Sequence, residues 1–400
     1  MLKNIRIISI LCLALHPLLS LGQWSSQELS YGDEFQSPIQ TGDRDTQSES
    51  YMIWSLINFE RVKADALPYA QEIHLAGSEN IQKDMPAMVA LQQNDSGALV
   101  SAPMVVLING FYSIHNSDLK YFDQLYQRGY HVLSLPTAWS LLYQNLKPNF
   151  PMGDFQKEAQ VALDVLKNFI NPLKSAGTVS SVGFMGHSYG TLVGIFMANL
   201  DNAHPALFDE DMVFVGPEAN IEYALDHFDS YFKEFKIWNR CLLNKLKLLG
   251  SVNRYEKAES WLDLKERDVN RAAPMLAYSA HRSLINILKV LKPDFKKYLR
   301  KNHRRPMEFG YRKYAKVYAP ELLDIFGGDN GDFVKLYQKA RRDNLRPLKI
   351  LTSEDDFLNK AGAWDDIQEE VMILEGGSHF GFLVSDWFEG FIKMSFPPLN

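Results

Sequence analysis

Cysteine is almost absent from this chain. Only Cys12 and Cys241 occur in 400 residues, which excludes a disulfide-stapled scaffold and a cysteine-ligated metal centre. If a leader carrying Cys12 is removed, a single cysteine remains, so stability must come from a buried core. A strong charge of one sign is also missing. The balance of 42 basic and 48 acidic residues leaves −6, too mild for a global pull toward nucleic acid or an anionic membrane. Internal repeats are absent. Long hydrophobic runs are scarce near the N-terminus, where Ile7 to Leu15 is too short to span a bilayer comfortably.

That short run fits a secretory signal better. Lys3 and Arg6 precede it, and Ser20-Leu21-Gly22 puts small residues where a signal peptidase reads them, before Gln23. The expectation is a signal peptide over 1–22 and export to the periplasm or beyond, with an uncleaved anchor as the alternative. Cys12 lacks the small residues that a lipoprotein site requires in front of it. Residues 23–65 read as a polar leader, since Trp24 to Glu49 is rich in Ser, Gln, Asp and Glu with little periodicity.

Beyond Ala66, short apolar runs alternate with helical patterns. Strands are expected at Glu72–Ala76, Ala87–Leu91, Met104–Ile108, His131–Leu135, Val182–Met185, Met212–Val215, Lys349–Thr352 and Val371–Leu374. Helices are expected at Leu119–Arg128, Phe155–Ile170, Thr191–Leu200 and Trp387–Met394. Strands alternating with helices imply a mostly parallel central sheet flanked by helices, an α/β architecture. Good strand signals are lacking from Ile221 to Arg346, where Leu, Lys, Arg, Tyr and Phe recur at helical spacing. The division expected is therefore a core of 66–220 and 347–400 with a helical cap inserted at 221–346.

The chemistry centres on Gly186-His187-Ser188-Tyr189-Gly190, a G-x-S-x-G pattern that follows an apolar strand and opens a helix. In that setting the serine sits on a sharp strand-to-helix turn, and small residues two before and two after it let the turn close. A serine hydroxyl is a weak nucleophile and needs a base, which in turn needs an orienting acid. His379, in the glycine-flanked loop Glu375-Gly376-Gly377-Ser378-His379-Phe380-Gly381, is the expected base. Ser353-Glu354-Asp355-Asp356 follows a strand and supplies the acid, with Asp356 the leading choice, Asp355 and Glu354 its neighbours, and Glu218 past the sixth strand a more distant alternative. Two N–H donors are needed for an oxyanion. The backbone N–H of Tyr189 is one candidate. The other is that of Phe111 in Asn109-Gly110-Phe111, where Gly110 lets the backbone come close to substrate.

This ordered set resembles the α/β-hydrolase superfamily over about residues 66 to 396. The Glu354-to-Phe357 turn and the Gly376-to-Phe382 ending look like the YheT-like branch of esterases, departing from it by Ser378 before the histidine and by Tyr189 after the nucleophile. The resemblance implies hydrolysis of a carboxylic ester without a cofactor or metal. Peptidase, amidase, thioesterase or lipase activity on the same residues is the nearest rival, and a non-catalytic binding protein on the same scaffold is the other.

The cap carries Lys292, Lys296, Lys297, Arg300, Lys301, Arg304 and Arg305. This run suits either a solvated helix face or a peripheral contact with anionic lipid headgroups. Tyr231, Phe232, Phe235 and Trp238 suit cap core or an acyl pocket. Tyr112 and His115 follow the oxyanion loop and suit either a substrate contact or, for a lone histidine there, a plain loop position. The expected partner is a small-molecule or lipid-like ester, with no nucleic acid.

Overall fold

The computed structural model describes residues 67–110, 119–201, 206–238, 284–292, 294–301, 310–343, 348–374, 378–379 and 386–399. The signal peptide, the polar leader, Cys12, Cys241, Phe111, Tyr112, His115, Gly376 and Gly377 lie outside these, as do the side chains of Tyr231, Phe232, Phe235 and Trp238.

Eight strands build one sheet: β1 (Gln71–Leu75), β2 (Met85–Ala90), β3 (Ala102–Ile108), β4 (His131–Leu135), β5 (Val179–His187), β6 (Met212–Val215), β7 (Leu348–Ser353) and β8 (Val371–Leu374). Their spatial order is β1-β2-β4-β3-β5-β6-β7-β8. β2 pairs antiparallel with β1 and with β4, and every later pair is parallel. The central strands are continuous apolar runs because both of their faces are covered. Met104, Val106 and Ile108 of β3 face one apolar layer, and Val105 and Leu107 face the other. Phe184 and Met185 of β5 divide the same way, as do Met212 and Phe214 against Val213 and Val215 of β6.

The helices are α1 (Leu119–Gln127), α2 (Leu141–Gln144), α3 (Phe155–Ser175), α4 (Tyr189–Leu200), α5 (Ile221–Trp238), α6 (284–291), α7 (Phe295–Lys301), α8 (Tyr311–Tyr318), α9 (Glu321–Gly327), α10 (Phe333–Asp343) and α11 (Asp386–Ser395). One face of the sheet is covered by α3, α4 and α10. The other is covered by α1 and α11 through Tyr121, Phe122, Leu125, Phe388, Phe391 and Ile392. α4 is apolar all round because it is buried from Tyr189 to Asn199, between the sheet, α3 and α10.

Several elements outrun their sequence pattern, α3 and β5 by the widest margin. α3 continues past Pro172 to Ser175, and its last turn is tied down by the Lys174 ammonium, which donates to Asp209 at 2.8 Å and to the Leu207 carbonyl at 3.1 Å. β5 begins at Val179, where pairing with Ala102 across a register shift in β3 overrides the polar Ser180-Ser181. Between β6 and β7 every regular element described is helical. On α7, Phe295 and Leu299 are buried while Lys296, Lys297, Arg300 and Lys301 are exposed. Among the described residues no helix is long and apolar enough to cross a membrane.

Candidate active site

Parallel strands in register end together, and the six from β3 to β8 stop along one edge. Ile108 lies opposite Gly186, His187 opposite Val215, Val215 opposite Leu351, and Ser353 opposite Leu374. The ladder then runs one step further into the loops. Ser188 N–H donates to the Val215 carbonyl at 2.8 Å, Gly216 N–H to Leu351 at 2.7 Å, and Glu354 N–H to Leu374 at 2.8 Å. The loops that leave this edge carry Gly110, Ser188, Glu218, Asp356 and His379, residues far apart in the chain.

Ser188 occupies the turn from β5 into α4 with φ 50° and ψ −124°, a conformation that L-residues rarely adopt. The turn is tight enough that a Cβ on Gly190 would lie 1.9 Å from the Ile108 carbonyl oxygen, and one on Gly186 2.8 Å from that of Gly190. Gly110 lies against the nucleophile candidate itself, since its Cβ position is 3.6 Å from Ser188 Oγ. This brings the loop after β3 beside Ser188, although the Phe111 N–H falls outside the described residues. Tyr189 is the first residue of α4, a position whose N–H has no carbonyl one turn earlier in the helix. Its side chain is held from behind: the phenol donates to Glu158 Oε2, and Glu158 Oε1 accepts the Ala138 N–H at 2.7 Å. Burial pushes the Glu158 carboxyl up to about 7.

His379 is wholly buried, with Nε2 2.9 Å from Ser188 Oγ and Nδ1 2.7 Å from Asp356 Oδ2. An ionised Asp356 accepts from Nδ1–H and so leaves Nε2 as the acceptor facing the serine. The other Asp356 oxygen takes the Leu358 N–H at 2.9 Å. Burial works against a charged His379, but Asp356 and Glu218 outweigh it, and its pKa is raised above 6.5. The neighbouring His187 is pushed down to about 3 by burial and by His379, so it stays neutral.

Of the acid candidates, Asp356 is the one at Nδ1. Asp355 turns to the backbone of the histidine loop, where its Oδ1 accepts the Ser378 N–H at 2.9 Å. Ser353 Oγ donates to the Ser378 carbonyl at 2.7 Å, so the end of β7 holds that loop at two points. Ser378 itself has φ 52°. Glu218 stands elsewhere, with Oε1 2.9 Å from Ser188 Oγ and 4.0 Å from His379 Nε2. It is fully buried, and burial raises its pKa against the opposing effect of His379.

Sequence reasoning missed Asn359. Its Oδ1 accepts the Ala219 N–H at 2.6 Å and its Nδ2 donates to the Pro217 carbonyl at 3.0 Å, bracketing Glu218 on both sides. No motif marks this residue, because its partners lie 140 and 142 positions away. Phe357 entered the sequence reading only as the end of the acid turn, with no role of its own. Its ring sits 6.0 Å from that of His379 and 6.1 Å from that of Phe228 on α5, packing the first helix after β6 against the acid loop. Among the described residues no group of three His, Cys, Asp or Glu side chains is arranged to hold a metal ion.

The strand order, the parallel core and the strained serine turn at the carboxyl edge define an α/β-hydrolase fold. No protein-family profile matches the chain, and no curated protein matches it by sequence. Solved structures similar to it include an esterase of Pyrococcus furiosus, at 13% identity over 84% of this chain and 95% of that one, with a TM-score of 0.45. An esterase of Pyrobaculum calidifontis is 14% identical over 86% of each chain, with a TM-score of 0.40. A puromycin-hydrolyzing peptidase of Mycobacterium tuberculosis is 11% identical over 83% of this chain and 41% of that one, with a TM-score of 0.44. These are likenesses in the course of the chain, and the chemistry of this protein has to follow from its own side chains.

Proposed function

We propose that this chain is an exported serine hydrolase that cleaves a carboxylic ester through an acyl-enzyme on Ser188. The observation that carries the reading is the buried relay from Ser188 Oγ through the His379 imidazole to Asp356, with contacts of 2.9 and 2.7 Å. His379 Nε2 takes the hydroxyl proton as Oγ bonds to the ester carbon. Asp356 holds the Nδ1–H tautomer and stabilises the imidazolium. The N–H groups of Tyr189 and Phe111 receive the oxyanion, each such donor being worth roughly 2.7–4 kcal/mol of barrier. The imidazolium protonates the departing alcohol, and water then releases the acid. The substrate is a small-molecule or lipid-like ester. The helices between β6 and β7 act as a cap over it, and the exposed cations of α7 face anionic headgroups. Export rests on the basic and apolar segments before Gln23.

Labelling with a fluorophosphonate tests the reading. An adduct is expected on Ser188 of the folded protein. Ser188→Ala is expected to fold normally, to take no label and to lose on the order of 10⁶ in kcat on p-nitrophenyl esters. Absence of an adduct in the native chain points to a binding protein on a hydrolase scaffold. Parallel thioester and aminoacyl-amide substrates rank the acyl chemistries.

A further inference from the structure

Burying a carboxylate without a cation or a full set of donors is costly, and Glu218 is a conspicuous instance. It is fully buried, its Oε2 has no hydrogen-bond partner among the described residues, and its Oε1 has the Ser188 hydroxyl. The loop that carries it is fixed on every side. Gly216 N–H donates to Leu351, Asn359 binds both Pro217 and Ala219, and the Ala219 carbonyl accepts the Phe333 N–H at 3.0 Å. Asp356 already occupies the orienting position at Nδ1, so Glu218 has a different task.

The task follows from what acylation removes. Once Ser188 Oγ is esterified its proton has left, and Glu218 becomes a buried acceptor without that donor. A water molecule is the available replacement. Glu218 Oε1 and His379 Nε2 are 4.0 Å apart, a gap that a single water spans with one hydrogen directed at each, about 2.8 Å from both. Ser188 Oγ, to which the acyl carbon would be bonded, is 2.9 Å from both of these acceptors.

We propose that Glu218 recruits and orients the deacylating water, an inference that rests on the acyl-enzyme reading of the site. One hydrogen of the water points to Glu218 and the other to Nε2. The proton passes to Nε2 while an oxygen lone pair bonds to the acyl carbon and the carbonyl π pair moves to oxygen. Collapse of that intermediate breaks the C–Oγ bond, and Oγ takes the proton back from Nε2. The products are the free acid, which keeps the second water hydrogen, and the original serine.

Burst kinetics on a p-nitrophenyl ester separate the two half-reactions. Glu218→Leu fills the buried place with a side chain of similar size but offers no acceptor. Glu218→Gln keeps a neutral acceptor. The steady phase is expected to slow by about 10- to 100-fold more than the burst in Glu218→Leu, with Glu218→Gln between it and wild type. Mass spectrometry is expected to show the acyl group accumulating on Ser188. Hydroxylamine, which attacks the acyl-enzyme without needing a placed water, is expected to restore turnover of both variants. Burst and steady phases falling in proportion, or no hydroxylamine rescue, would reduce Glu218 to a structural role and overturn the inference. If the wild-type protein forms no acyl group on Ser188, the hydrolase reading itself fails and takes this inference with it. If wild type acylates and Glu218→Leu deacylates at the wild-type rate, only the inference fails.

Discussion

A hydroxyl has one proton to give, and at Ser188 two acceptors stand 2.9 Å from the oxygen. Which of them takes it depends on the charge of His379, and that charge is governed by Asp356. The carboxylate raises the imidazole pKa in spite of burial. A general base works only when unprotonated, so kcat/KM should rise with pH along an acid limb centred above 6.5. Asp356→Asn removes the main raising influence, so the limb should move to lower pH. The amide also favours the wrong tautomer, and kcat should fall on the order of 10⁴. A pH–rate profile of both proteins measures the two effects, and an unmoved limb would detach Asp356 from the imidazole. His187 cannot contribute to that limb because it is neutral down to about 3.

The strand-to-helix turn is the element on which the site depends, and its tightness is set by backbone contact. Alanine for glycine in a helix normally gains about 1 kcal/mol. At Gly190 the new Cβ would meet the Ile108 carbonyl at 1.9 Å and the Asn109 carbonyl at 3.0 Å, so β3 and α4 must separate. Gly190→Ala should therefore lose about 3 kcal/mol or more and displace Ser188 from His379. Gly390→Ala in α11 is the control, because nothing lies within 4 Å of its Cβ position. Urea midpoints should fall for the first variant and hold or rise for the second.

Across the whole molecule, stability rests on two apolar layers around the sheet, and a few buried ionisable groups make it depend on pH. Glu158 is raised from 4.5 to about 7 by burial. In that window the folded chain keeps a proton that the unfolded chain has released. Its contribution to stability therefore falls as pH rises from about 4.5 to about 7, the opposite of a salt-bridged carboxylate. His379, also raised, adds a loss in the same direction above 6.5. Comparison of wild type with Glu158→Gln isolates the carboxyl. The urea midpoint of the glutamine variant should gain on that of wild type across the window, and parallel curves would refute the shift.

The alternation of apolar runs with helical periods was enough to place all eight strands and four of the helices that flank them, since the central strands, covered on both faces, are apolar throughout. α10, by contrast, lay inside the stretch read as cap although it packs on the sheet. Gly186-His187-Ser188-Tyr189-Gly190 was equally legible, because a turn so close to the neighbouring strand excludes side chains at its two outer positions. The glycine-flanked loop near the end of the chain nominated His379, and the acidic turn after a strand a short list of acids. Which carboxylate meets which atom was a tertiary matter. Asp356, Asp355 and Glu218 are the same kind of group in similar loops, and only the register of β5 to β8 sends the first to the imidazole, the second to a backbone N–H and the third to the serine hydroxyl. Asn359 was invisible for the same reason: hydrogen bonds between segments some 140 residues apart leave no local period or motif to read.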